Sequence, residues 1–585
     1  MELRTLQKQL FLLPFLIFTL VASMVVGAVP VHAADPQIYY VDIDTGVDSP
    51  DHGTTPQAPF KNIQYAADLT NPGDTVYVMN GTYYNTNDQY VFQVTRSGNS
   101  TGYISFLAYP GHTPKLKSID AWNHIVVSAS YIRIEGFEIE GENANLALSD
   151  GEERYNHFIA NKPTGTIDWN YVRKTQTNGI YIKPGSSGIP HHVTIKNNVV
   201  HDTPGGGISA EKSDYITIEN NTVYNTSWYT LYATSGISIL NSVDADTNNT
   251  AYKTVIRNNR SYNNKTMVKW EKTKDYSDGN GIIIDSNRNT HLNGQYPAYA
   301  GKTLIANNLS YNNRSSGIHA YYSQNVDIIN NTSYNNSALL DVGEIFAVSS
   351  NQVNILNNIM VARTGKKINT NYNNTNLTNN YNVYSNGNPV VSGANDIWAD
   401  PMFENPANGD FRLKIGSRAI DTGSAALAPS NDFIYKPRPK GAAPDRGAYE
   451  YQNLIGNPSF EWGGIGSWTA EQNSAGITVQ NTGAYSGTYK AAFNTTASTK
   501  LAQTVTAPTT AVYTVTAYIN TNVTSNVVLG ADVAGVNLGQ QSVQAGGYNK
   551  ITFTVNANAG QQIKVWVSAP AYTGGWVAID DISLN

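Results

Sequence analysis

The chain has 585 residues, a net charge of −6, only 14% charged residues, 38 tyrosines and no cysteine. So little charge of either sign gives no reason to expect nucleic acid or a membrane surface as partner. Without cysteine, disulfides and thiolate metal sites are excluded, and stability must come from burial and backbone ladders.

At the start, Arg4 and Lys8 precede the apolar run "LFLLPFLIFTLVASMVVGAV" and the small-residue stretch "PVHAADP". This is the pattern of a secretory signal peptide over residues 1–34, so the mature protein is expected to be exported. Residues 59–83 follow with apolar positions at Phe60, Ile63, Ala66, Ala67 and Leu69, a short amphipathic helix before a turn and a strand. Such a helix covers the open end of a stacked sheet.

From residue 132 one element recurs: "VTIKNNVVHD" (193–202), "ITIENNTVYN" (216–225), "TVIRNNRSYN" (254–263), "TLIANNLSYN" (303–312), "VDIINNTSYN" (326–335) and "VNILNNIMVA" (353–362). Each is a β-branched strand, a polar corner and a second strand. Between the copies lies a glycine-led strand: "NGIYIK" (178–183), "GGISAE" (206–211), "SGISIL" (235–240), "NGIIID" (280–285) and "SGIHAY" (316–321). Short strands repeating at ~20–30 residues predict a right-handed parallel β-helix whose coils stack about 4.8 Å apart. The paired asparagines should form a ladder down it. Longer intervals after Gly236 and Gly281 predict projecting loops at 241–252 and 265–280. The stretches 400–423 and 445–451 are expected to close the far end. From Asn453 the texture changes to alternating strands such as "YTVTAYI" and "QIKVWVSA", which predict a β-sandwich over 453–585.

The opening "YYVDIDTGVDS" with "PFKNIQYAADLTNPGDTVYVMNGTYY", the "NN" coils and the closing "DRGAYEY" resemble secreted right-handed β-helix proteins of the pectate-lyase-like superfamily. The final segment, with "NPSFE" and a terminal "IDDISL", resembles carbohydrate-binding modules of the jelly-roll type. The resemblance implies an all-β chain with a catalytic β-helix over 35–451, an appended binding sandwich over 453–585, and activity on a polysaccharide. It also implies calcium and a basic catalytic residue, as in many related lyases.

Alternation within the glycine-led strands turns Ile180, Ile182, Ile208, Ile237, Ile282 and Ile284 inward. It turns Tyr181, Lys183, Glu211, Ile283, Asp285, His319 and Tyr321 outward onto one face. The loop "KTMVKWEKTKD" sets Lys265, Lys269, Lys272 and Lys274 around Trp270, which suits a polyanionic sugar. β-Elimination from a uronate needs a base near C5 and a cation at the carboxylate. Lys183, Lys269 and His319 are competing bases, with Asp285 also counted among the catalytic residues. Asp275, Asp278 and Asp285 are candidate calcium ligands, while Glu211, Trp270, Arg288 and Tyr321 are assigned to substrate contact. Hydrolysis is the rival chemistry, needing a carboxyl pair drawn from Asp278, Asp285, Glu211 and Glu344. A third reading is a noncatalytic glycan-binding solenoid.

In the sandwich, Trp462, Trp468, Trp566, Trp576, Tyr485 and Tyr572 are candidates for sugar stacking, with Trp468 and Trp566 favoured as core. Glu461 and Asp580 are candidate calcium ligands. The expectation is a monomer that meets a polysaccharide partner, acidic if the lysine loop lines the site.

Overall fold

The structure is a computed structural model that describes residues 35–292 and 294–585. The expected signal peptide over 1–34 lies outside the described residues. Three parallel sheets form the first part: eleven strands from Ile38–Val41 to Thr375–Asn380, nine from Phe92–Val94 to Asn371–Tyr372, and eleven from Thr82–Tyr84 to Ile397–Trp398. In each sheet the hydrogen-bonded neighbour of a strand comes from the next coil, which makes a right-handed β-helix. Helix α1 (Ile63–Leu69) buries Ile63, Ala66 and Ala67 over the first coil, as its spacing predicts.

Register is in step across the glycine-led sheet, with Ile180, Ile208, Ile237, Ile282, Ile318 and Ile345 aligned in one column. All six are fully buried. Each contributes about 1.5–3 kcal/mol of burial, an upper figure because the unfolded chain already hides part of this surface. Glycine directly precedes the first five, where the coils close tightly, and Glu344 precedes Ile345. A Cβ on Gly281 would lie 1.9 Å from Ser310 Oγ and 2.6 Å from the Gly317 carbonyl oxygen.

The paired asparagines divide their work. The first of each pair, such as Asn258, Asn307 and Asn330, takes a left-handed backbone (φ 57°, 55° and 55°) that asparagine tolerates better than most residues. The second forms the expected buried ladder through Asn198, Asn221, Asn259, Asn308, Asn331, Asn358 and Asn382. Asn308 Oδ1 accepts both the backbone N–H and the Nδ2 of Asn259 at 3.0 Å, while Asn308 Nδ2 donates to Asn331 and to Ile256 O. A parallel ladder runs through Thr226, Asn264, Asn313 and Asn336 and ends on the carboxyl of Glu344. Asn308→Ala, which strands two buried donors of Asn259, is expected to cost about 2 kcal/mol, read as a lower denaturant midpoint.

Two elements depart from the sequence-based expectation. An insertion carries α2 (Leu148–Asn161) and α3 (Trp169–Arg173), whose Phe158 and Val172 pack on Leu231 beside the coils. The segment 400–451 runs back along the side of the solenoid instead of capping its end. Its carbonyls accept from the outer asparagines: Ser424 O from Asn357, Asn431 O from Asn307, Asp432 and Phe433 O from Asn258, and Asp445 O from Asn330. Tyr435 reaches Glu219 at 2.9 Å. The physical reason is that the buried outer asparagine amides, of which Asn357 also donates to its neighbour Asn330, need further acceptors, and the returning backbone supplies them.

Beyond Asn453, two five-stranded antiparallel sheets enclose a separate core that includes Phe460, Trp468, Ile519, Val565 and Ile579. Among the described residues no helix is long and apolar enough to cross a membrane.

Candidate functional site

The corner after the second ladder places cations on successive coils. Lys265 follows Asn264 and Arg314 follows Asn313, and the Arg314 N–H donates to Asn264 O at 2.9 Å, one coil above the Lys265 N–H on Thr226 O. Two coils further on, Arg363 turns back so that its guanidinium donates to Asn335 O and Asn336 O. The Lys265 ammonium sits 4.9 Å from the centre of the Trp228 ring, and Arg314 lies 4.9 Å from that of Tyr276. Burial, and then the neighbouring Arg314 and Arg363, hold the Lys265 ammonium below the usual lysine range. Among the described residues no carboxylate pairs with it.

Lys265 and Arg363 line an open groove of about 680 Å³, with Tyr262, Tyr311 and the amides of Asn263, Asn312 and Asn335. The returning segment forms one wall through Ala407, Asn408 and Gly409. Tyr262 and Tyr311 belong to a stack with His201 and Tyr224, at ring separations of 4.6–5.0 Å and nearly parallel planes, so their edges and hydroxyls face the groove. At the far end of that stack Glu138, Glu140 and His201 come close enough to share an ion, but Lys115 and Lys117 already bond these carboxylates.

The outward face of the glycine-led sheet gathers its residues as alternation predicts, with Glu211, Leu240, Asp285 and Tyr321 in one column and Tyr181, Ser209, Ser238, Ile283 and His319 in the next. It is not uniformly open to solvent, because Ile283 and His319 are buried. His319 stacks on Phe346 at 4.9 Å and bonds Ser316 Oγ at 2.6 Å, and burial pushes its imidazole down to about 3, which makes it a poor proton acceptor. Glu211 accepts from Tyr181 and Lys212; these bonds hold its carboxyl below the usual range although burial alone would raise it. Lys183 lies 5.4 Å from the Tyr181 ring. Glu344 is fully buried under Ser333 and Asn336, with burial pushing it up to about 7.

Burial, then Asp285, push Asp278 up to about 7 against the opposing bond from Asn280. Asp275 stands apart and exposed, accepting the Tyr276 amide. Calcium takes six to eight oxygens. Of Asp275, Asp278 and Asp285, the described residues bring together only the Asp278 and Asp285 carboxylates, so this set does not make a calcium cage. Lys269 is exposed on the rim of a second groove of about 330 Å³ between α2 and the 265–276 loop. Lys272 covers Trp270 at 5.3 Å, and Arg288 braces the Ser349 carbonyl at 2.9 Å. Tyr321 remains 40% exposed above Asp285.

In the sandwich, Glu461 and Asp580 close on one loop: Glu461 accepts the amides of Thr488 and Tyr489, and Asp580 those of Tyr485 and Ser486. Asp581 joins them through Ser486 Oγ. Trp468 and Trp566 are core, whereas Trp462, Trp576, Tyr485 and Tyr572 are exposed.

Lys265 is one of four lysines in the 265–274 loop, and strand alternation marks neither it nor Arg314 and Arg363. The signal was present in "YNNK" (262–265) against "YNNR" (311–314), which puts the two cations at one position of the repeat.

Residues 39–354, more than half of the chain, match the model of the Pel9A-like right-handed β-helix region. Among solved structures, pectate lyase Pel9A is similar at 17% identity over 71% of this chain and 96% of that one, with a TM-score of 0.43. A lacto-N-biosidase of family GH136 from Eubacterium ramulus shows 14% identity over 60% of each chain, at a TM-score of 0.37. The module TmCBM61, solved with β-1,4-galactotriose, shows 24% identity over 23% of this chain and 99% of that one, at a TM-score of 0.21. No curated protein sequence matches.

Proposed function

The chain belongs to the Pel9A-like right-handed β-helix family, and from that premise we propose that it is a polysaccharide lyase that cleaves a uronate-containing polymer by β-elimination. The observation that carries this reading is Lys265, a half-buried lysine on an open groove that has no acidic partner among the described residues and is neighboured by the Trp228 ring, Arg314 and Arg363. A substrate carboxylate in the groove meets Arg363, whose guanidinium stays charged and, with Arg314 beside Lys265, favours the negative charge that builds as the C5 proton leaves. Lys265, uncharged at Nζ, takes that proton. The C4–O bond then breaks, the C4–C5 double bond forms, and the leaving oxygen takes up a proton. Repulsion from the arginines increases the uncharged fraction of Lys265 at a given pH.

A second reading has one observation behind it. Asp278 beside Asp285 forms a carboxyl pair in which one member is held protonated near neutrality, as hydrolysis requires. The two chemistries have opposite pH dependence. A lysine base works better as pH rises through its lowered pKa, whereas a general acid at about 7 loses its proton, and activity, above that pH. Incubation with acidic polysaccharides across this range is expected to give unsaturated-uronate absorbance that increases toward alkaline pH. New reducing ends without that absorbance, decreasing above neutral pH and lost in Asp278→Asn, would assign the hydrolase instead.

A further inference from the structure

Strand Ile345–Val348 is led by a glutamate where the two strands before it are led by glycine. Ile345 aligns with Ile318 and Ile318 with Ile282, so Glu344 stands at the position of Gly317 and Gly281. Glycine is required in those coils because the second asparagine ladder of the following coil fills the space. A Cβ on Gly317 would lie 2.0 Å from Ser333 Oγ and 2.8 Å from Asn336 Nδ2. After Asn336 the ladder has no further amide. Tyr334 aligns with Val361, which puts Arg363, a side chain without an acceptor, at the repeat position of Asn336. The fully buried carboxyl of Glu344 supplies the acceptor instead.

Every rung of this ladder points the same way. The N–H and Oγ1 of Thr226 donate to Asn264 Oδ1 at 3.2 and 2.8 Å, and the N–H and Nδ2 of Asn264 donate to Asn313 Oδ1 at 3.0 and 2.9 Å. Those of Asn313 donate to Asn336 Oδ1 at 3.0 and 2.8 Å. At the end the Asn336 N–H donates to Glu344 Oε1 at 2.9 Å, and Asn336 Nδ2 donates to Oε2, which Ser333 Oγ meets at 2.7 Å. Both carboxyl oxygens therefore face donors. An ionised carboxylate meets that demand, whereas the Nε2 of a carboxamide would oppose an N–H. Burial works against the charge and pushes the carboxyl up to about 7, while the bonds from Asn336 and Ser333 and the charge of Arg363 favour it. The residues that follow the rungs are cations of the groove corner, Lys265 after Asn264 and Arg314 after Asn313. Their main chains bond the carbonyls of the same rungs, Lys265 N–H to Thr226 O at 3.0 Å and Arg314 N–H to Asn264 O at 2.9 Å.

We propose that Glu344 is a positioning residue, whose carboxylate sets the direction of the amide ladder and through it holds Lys265 and Arg314 at the groove. The inference rests on the reading of Lys265 as the reacting base. Glu344 itself stays away from the reaction, being fully buried and absent from the groove lining. Hydrogen bonds aligned head to tail polarise one another, so a charge at the last rung strengthens those before it. Without that charge nothing prevents the amides of Asn336, Asn313 and Asn264 from turning over as a set. Thr226 and Asn264 then lose the oxygens that fix their backbone N–H groups, and the corner that carries Lys265 relaxes. The Lys265 ammonium moves toward water and returns to the ordinary lysine range. Arg363 holds the same corner from the other side by donating to the carbonyls of Asn335 and Asn336.

The test is Glu344→Gln in the full chain, which keeps the shape and removes the charge. Lysines labelled by reductive methylation with a carbon-13 reagent are titrated by NMR, and the Lys265 signal is assigned by its disappearance in Lys265→Arg. Glu344→Gln is expected to move the Lys265 midpoint to higher pH, with the other lysine signals as internal reference. Elimination turnover should fall by about tenfold or more, the scale of a displaced reacting group, and its alkaline rise should follow the midpoint. Adding Asn336→Asp should restore both. The carboxylate then stands one rung earlier, accepting from Asn313 on one oxygen and from the glutamine amide on the other. If Glu344→Gln alone does not fold, the double variant carries the test: a wild-type midpoint supports the proposal and a displaced one overturns it. A moved midpoint in a protein that shows no elimination would sink the lyase reading and leave this one standing. An unmoved midpoint in folded Glu344→Gln overturns the proposal whatever turnover does.

Discussion

Replacing Lys265 by alanine is expected to reduce elimination turnover by about 10²–10⁴-fold, the range that a positioned base contributes. Folding should be unaffected, because the ammonium has no carboxylate partner among the described residues and rests on the edge of an open groove. Lys265→Arg should fail nearly as badly, since a guanidinium does not give up its proton in this range. Arg363→Ala should act differently. It removes one of the two charges that hold the Lys265 pKa down, so the alkaline rise in rate should move to higher pH, while KM for an acidic substrate increases. A Lys265→Ala variant with undiminished turnover would remove the lyase mechanism from this groove.

The largest stability effect is expected at Lys253. Its side chain is fully buried, and its ammonium lies 3.0 Å from Asp214 Oδ2, 3.0 Å from Asp244 Oδ1, 2.9 Å from Asp246 Oδ1 and 3.1 Å from the Asp246 carbonyl. Burial alone would lower its pKa, but the three carboxylates hold it above the ordinary lysine range. Lys253→Met leaves the fully buried Asp214 carboxylate without its cation, facing those of Asp244 and the half-exposed Asp246, and should cost about 3–5 kcal/mol. The stabilisation from the raised lysine is complete below the ordinary lysine pKa and fades only as pH rises through the higher folded value. On the acid side, Asp246 is held down to about 2, so its share is present above the ordinary carboxylate pKa and is lost as pH falls toward 2. Denaturant midpoints across this range would measure both limbs, and faster amide exchange over 241–252 in the variant would show which loop the ammonium holds. Unchanged midpoints would mean that the cage is dispensable.

The coil architecture was legible because it is periodic. The isoleucine column, the glycine that precedes it and the asparagine ladder repeat with the same neighbours, so each copy supports the assignment of the others. The helical insertion was missed because Leu148, Phe158 and Ile159 occur once, in a stretch with no companion coil. The returning segment was placed at the end because its sequence gives no sign of the outer asparagines that bind it. The site was half legible for a similar reason. Alternation correctly put Asp285 and Tyr321 in one column, but alternation does not report what lies over a column, and His319 proved to be enclosed. The cations of the groove stand on a corner, outside the strands that alternation describes, and only alignment of the corners themselves brings Lys265 and Arg314 together.

A bare solenoid unfolds like a stack of coins, losing terminal coils one at a time because each contacts only its neighbours. The segment 424–447 changes that behaviour, since it crosses several coils at once and is fastened to asparagines at 258, 307, 330 and 357. Its Arg438 forms a fully buried pair with Glu450, just beyond it. It acts as a splint. The coils beneath it must either stay together or release it as a whole, so fraying from that end is replaced by one concerted opening with a higher barrier. In a chain without cysteine, the splint gives the endurance in time that cross-links give other proteins.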